Sequence, residues 1–124
     1  MKFPEIRVQT FPKYEPSQSR LNEGKYFYSY RIIIRNTEGE RCQLISRRWL
    51  ITDANGQKQE VVGDGVIGQQ PVLESGEEFS YTSGCLLETP VGTMEGHYVM
   101  RTESGLEFNT PIEPFLLAVP GTIN

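Results

Sequence analysis

The sequence predicts an all-β sandwich of about seven strands, and three observations predict it. Apolar and polar residues alternate over several runs, and turn residues recur between those runs. No window sustains the i, i+3, i+4, i+7 apolar spacing of an amphipathic helix, because Gly or Pro interrupts every long stretch. With 124 residues, 37% of them hydrophobic, the chain suits one domain spanning 1–124. A domain of that size buries roughly two-thirds of its unfolded surface without metal or disulfide.

Taken in order, Tyr26, Tyr28, Tyr30, Ile32 and Ile34 fall on one face of a strand, with Arg31 and Arg35 on the other. After a turn at Thr37-Glu38-Gly39-Glu40, residues 42–52 form the next strand. There Ile45, Trp49 and Ile51 share a face, and Leu44, Arg48 and Leu50 share the other. Asp53-Ala54-Asn55-Gly56 reads as a type I′ hairpin turn, with residues 57–62 as the return strand. A glycine-rich loop, Gly63 to Gln70, follows. Further strands are expected at 77–83, 94–103 and 107–119, the last broken by Pro111 and Pro114, which belong at an edge or a bulge. Gly96-His97-Tyr98-Val99-Met100 has the form of the tyrosine corner of an immunoglobulin-like sandwich. Met100 then stands where antibody domains carry a disulfide cysteine, with Trp49 packed against it and Ile32 or Ile34 opposite.

The formal charge of −4 conceals an asymmetry. Residues 1–58 carry eleven Lys/Arg and six Asp/Glu, whereas residues 59–124 carry Arg101 against ten acids. The first half is thus +5 and the second −9. Either basic early strands pair with acidic late ones across the sheets, which is favoured, or a basic and an acidic face steer a partner. Net acidity without a basic cluster argues against nucleic acid as the main partner. No run approaches the ~20 apolar residues of a membrane span, and the N-terminus lacks a signal-peptide pattern, so a cytoplasmic location is expected. Cys42 and Cys85 are accordingly expected as reduced, partly buried thiols.

Gly63-Asp64-Gly65-Val66-Ile67-Gly68 formally matches the dinucleotide-binding G-x-G-x-x-G. That chemistry needs a helix starting within the motif, and Pro71 with Glu74-Ser75-Gly76 forbids one. What stands is either a backbone role for the glycines or an anion nest of loop amides, with Gly63, Asp64, Gly65, Gly68 and Gln70 as ligand-binding residues. His97 is the only histidine, no nucleophile has a visible partner, and neither Cys-x-x-Cys nor paired His occurs. No catalytic residue, metal site or cofactor is therefore assigned. Arg47 and Arg48, directly before Trp49, are candidate partner-binding residues, since Arg is favoured at interface hot spots.

Three stretches carry a resemblance: Val62-Gly63-Asp64-Gly65-Val66-Ile67-Gly68-Gln69-Gln70-Pro71, Phe79-Ser80-Tyr81-Thr82-Ser83-Gly84, and residues 89–100 through Gly96-His97-Tyr98. Leu44-Ile45-Ser46-Arg47-Arg48-Trp49 and Ile112-Glu113-Pro114-Phe115 extend it. In these the chain resembles the ApaG family. The resemblance implies a fibronectin-III-like or immunoglobulin-like sandwich. It also implies a loose tie to cobalt and magnesium tolerance in bacteria and use as a partner-binding domain in eukaryotes. The expected function is a non-catalytic protein-interaction module, monomeric or homodimeric, with a protein partner of unknown identity. The alternative is a binder of pyrophosphate or a nucleotide through the glycine loop, with or without Mg²⁺.

Overall fold

The computed structural model describes residues 3–121. Eight strands make up most of them: β1 (Glu5–Tyr14), β2 (Tyr26–Glu38), β3 (Cys42–Asp53), β4 (Lys58–Asp64), β5 (Val72–Leu73), β6 (Glu78–Leu87), β7 (Val91–Thr102) and β8 (Glu107–Ala118). Two short 3-10 turns, Pro16–Gln18 and Leu21–Glu23, lie between β1 and β2. One sheet has three strands in the order β1-β2-β6. The other runs β4-β3-β7-β8, and β5 pairs with β3 along the edge that β4 also uses. All pairings are antiparallel, and the sheets face each other as a fibronectin-III-like sandwich.

The core is the inward set of both sheets. Tyr28, Tyr30, Ile32 and Ile34 from β2 meet Leu44, Trp49, Met94, Tyr98, Met100 and Leu117 from the larger sheet. Removing these side chains from water supplies the main driving force for closing the sandwich. Trp49 is caged by rings, with centroids 5.5 Å from Tyr30, 5.9 Å from Phe115 and 6.4 Å from Tyr98, all edge-on. The expected charge compensation across strands is present. Lys25, Arg35, Arg41 and Arg48 pair with Glu88, Glu78, Glu74 and Glu60, each cation from the basic half and each acid from the acidic half.

Four local expectations need correction. First, β1 and β5 were not expected. β1 hides because it buries no residue fully and carries Pro12, and β5 because it is two residues long. Second, the register of β3 against β7 shifts between Leu44 and Ser46. Ile45 is the extra residue of a β-bulge, so Cys42 and Leu44 enter the core in one phase and Trp49 and Ile51 in the other. Leu44 is therefore a core residue, and Arg47 shares the inward phase with Trp49.

Third, the 53–57 turn is not type I′. Only Gly56 has positive φ, at 81°, and its N–H donates to the Asp53 carbonyl at 3.1 Å. A type I turn followed by a left-handed glycine makes a three-residue loop instead, and Asp53 Oδ1 accepts from the amides of Asn55 and Gln57. Fourth, Tyr98 does not bond a backbone group upstream. Its hydroxyl meets that of Tyr81 at 2.5 Å inside the sandwich. Pro111 and Pro114 sit on β8, an edge strand, and the β7–β8 register slips beside Pro114.

Candidate functional site

The glycine loop leaves β4 and folds back on β3. The Gly65 N–H donates to the Ile45 carbonyl at 2.8 Å, so the bulge residue supplies the anchor. Val66 and Gln69 exchange two backbone hydrogen bonds, both 2.8 Å, closing a two-residue turn over Ile67 and Gly68. Their φ values of 42° and 77° are those of a type I′ turn. Val66 plugs into the core while Ile67 stands exposed at the tip. A positive φ at a β-branched residue is a strained backbone. Gly65 has φ 62°, and a Cβ there would collide with the Gln69 carbonyl oxygen. Gln70 latches the loop by donating its Nε2–H to the Ile45 carbonyl at 2.9 Å. The amides of Gly65, Val66 and Gln69 are thus all satisfied within the protein, and β5 rather than a helix follows.

Arg47 and Arg48 face opposite ways. Arg48 points outward and grips Glu60 Oε2 with Nε at 2.9 Å and Nη2 at 2.6 Å. Arg47 turns inward. Its Nη1 donates to the Asp64 carbonyl at 3.0 Å and the Gly65 carbonyl at 2.8 Å. Its guanidinium face rests on Gly63, whose missing side chain makes the room. The structure therefore joins Arg47, Gly63, Asp64 and Gly65 into one unit, while Arg48 belongs to another surface. Burial raises the Tyr30, Tyr81 and Tyr98 phenols, and the Arg47 charge acts on all three in the opposite sense.

On one side of the sandwich β1 and β8 close the gap between the sheets. On the other, β4 and β6 stand apart around a cleft of about 530 Å³. Arg47, Trp49, Lys58, Val61, Ser83 and Leu86 are among its walls. Cys85 borders it too, but its thiol is free and burial pushes its pKa to about 11, as it does for Cys42. Neither thiol has the thiolate character of a nucleophile. Among the described residues, no three His, Cys, Asp or Glu side chains converge on a common metal position. Nor, among them, is any helix long and apolar enough to cross a membrane.

The ApaG domain profile matches residues 16–102, from the first 3-10 turn to the end of β7. The chain is 50% identical over 121 residues to Protein ApaG of Vibrio vulnificus, covering 98% of this chain and 96% of that one. This chain belongs to the ApaG family. A further family member, Protein ApaG of an Anaeromyxobacter species, is 50% identical over 119 residues, covering 96% and 94% of the two chains. The crystal structure of an ApaA protein from Bordetella pertussis superposes with a TM-score of 0.93 at 48% identity, covering 96% and 97%. These alignments take in β1 and β8 as well as the profiled segment.

One surface escaped sequence reasoning because it depends on β1. The outer face of the three-stranded sheet is built of cross-strand rows: Arg7-Arg35-Glu78, Gln9-Ile33-Ser80, Phe11-Arg31-Thr82 and Lys13-Ser29-Gly84. Phe27 and Leu86 pair in the next row, and the Phe27 ring lies over Gly84, where any Cβ would strike it. Phe11 and Leu86 are each 48% exposed. Arg35 is neutralised by Glu78, and Glu15 accepts from Ser29. Among the described residues, Arg7, Lys13 and Arg31 have no acidic side chain within salt-bridge distance. The only sequence signal was the period-two pattern at 6–14, with Ile6, Val8 and Thr10 inward and Arg7, Gln9 and Phe11 outward.

Proposed function

We propose that this protein is a non-catalytic binding module whose contact surface is the outer face of the β1-β2-β6 sheet. Its partner is a protein presenting acidic side chains around an apolar centre. One observation carries this reading: among the described residues Arg7, Lys13 and Arg31 lack acidic partners and share the outer sheet face with half-exposed Phe11 and Leu86, whereas most other cations are paired. Aromatic and Arg side chains on one face, with surplus positive charge, suit recognition of an acidic partner. The family's tie to cobalt and magnesium then runs through that partner. The two unpaired cysteines support a cytoplasmic setting.

The test is capture from lysate with the full chain and with a Phe11→Ser/Arg31→Glu variant. Proteins retained by the wild type are expected to be lost from the double variant, released by raised salt, and retained by Arg48→Ala. Equal retention by the wild type and the double variant would place the contact elsewhere.

A further inference from the structure

We propose that the cleft between β4 and β6 is a second binding site, for a small organic anion with an apolar body, held by the Nε–Nη2 edge of Arg47. The cleft's volume of about 530 Å³ lies within the range of small-molecule sites. Its floor holds a half-buried guanidinium that contacts no carboxylate, unlike those of Arg35, Arg41, Arg48 and Arg101. Buried cations are normally paired, so an unpaired one in a concavity marks a place for an anion.

The division of labour on Arg47 gives direction. Nη1 is committed to two neutral carbonyls of the glycine loop, which fix the guanidinium without cancelling its charge. Among the described residues, no hydrogen-bond acceptor is taken by Nε or Nη2. Two parallel N–H groups are left in the fork geometry that receives two oxygens of one carboxylate or phosphoryl group. Lys58, which makes no ion pair among the described residues, adds a second positive charge to the lining. Of the acids that also line the cleft, Glu88 is paired with Lys25 at 2.6 Å, and Asp53 Oδ1 accepts from the amides of Asn55 and Gln57, so Arg47 and Lys58 stand against one carboxylate without a cationic partner. Trp49, Ile51, Val61 and Met94 supply apolar wall for the rest of the ligand. The loop thus serves the site by positioning a side chain rather than by offering its own amides.

The experiment is an amide and indole NMR titration of the full chain with phenylphosphate, phenylacetate and inorganic phosphate. Saturable shifts are expected at Lys58, Ser83, Cys85 and the Trp49 indole with at least one phenyl anion, and whichever binds tighter identifies the head group. Inorganic phosphate is expected to bind at least about tenfold more weakly, because it lacks the apolar body. Lys58→Glu, an exposed change that spares the fold, is expected to weaken the phenyl anion several-fold, and Arg47→Lys to abolish saturation. Should Arg47→Lys loosen the loop, Lys58→Glu still decides. The proposal is overturned by unsaturable shifts with both phenyl anions, by shifts confined to residues 63–70, or by affinity indifferent to Lys58→Glu. Inorganic phosphate binding as tightly as phenylphosphate would overturn the apolar body.

Discussion

The face of the Arg47 guanidinium rests on Gly63, where an added Cβ would come within 3.0 Å of Nη1, 3.1 Å of Nη2 and 3.2 Å of Cζ. This is a contact of side chain with backbone across β3 and β4, and it favours Gly63 for a reason unrelated to φ, since a methyl there makes the guanidinium yield by a few tenths of an ångström. Gly63→Ala is expected to lift the guanidinium from the Asp64 and Gly65 carbonyls and cost about 1–3 kcal/mol. Urea denaturation measures it. A neutral result would mean that Arg47 gives way freely and does not clamp the loop.

Gly65 and Gly68 both have positive φ but differ in their surroundings, so their substitutions should separate. Gly68→Ala meets open space and pays only the left-handed backbone cost, about 1 kcal/mol. Gly65→Ala adds a collision with the Gln69 carbonyl and should cost several times more. Comparing the thermal midpoints of the two variants tests the ordering.

Ile67 is exposed and β-branched at φ 42°, followed by glycine in a type I′ turn. Asn at this position relieves the backbone, so Ile67→Asn is expected to stabilise the fold by about 1 kcal/mol. A lower melting temperature for Ile67→Asn would show that the isoleucine makes a packing contact worth more than its strain.

The interior pair Tyr81–Tyr98 should behave as a unit. Tyr98→Phe leaves the Tyr81 hydroxyl buried without its partner and should cost about 1–3 kcal/mol, whereas adding Tyr81→Phe should restore part of that loss. A double-mutant cycle with no coupling would contradict it.

Alkaline pH should expose the same burial. The Cys42 and Cys85 thiols rise from 9.0 to about 11 and the Tyr28 phenol from 10.0 to about 12, in each case mainly through desolvation. A raised folded pKa means that the native state holds the proton more tightly than the unfolded chain does. The associated stability is therefore fully present below pH 9 and is lost as pH climbs from 9 toward 12. Urea midpoints from pH 7 to 11 should be level at first and then fall.

Strands β2, β3, β6, β7 and β8 were legible because each alternates strongly enough to reveal a buried face. The cation pairing was legible too, since opposite charges had been segregated along the chain and sandwiches interleave early with late strands. What could not be read depends on single residues that alter phase or on contacts distant in sequence. Ile45 adds one residue to β3 and so brings Leu44 into the core together with Trp49, and no composition signal marks it. The tyrosine-corner expectation placed Tyr98 correctly in the core, but the partner of its hydroxyl sits on another strand. The glycine motif was rightly separated from a helix, yet its bond to Arg47 emerges only once β3 and β4 are paired.

Trp49 is the only tryptophan, and three aromatic rings enclose it at the wall of the cleft. The molecule therefore carries one intrinsic optical probe, set where the sheets part. Its emission should be short in wavelength in the native state and shift red on unfolding. A quencher small enough to enter between β4 and β6 should reach it before one confined to bulk solvent. Light from a single side chain can thus follow the opening of the sandwich and the filling of its cleft without any label.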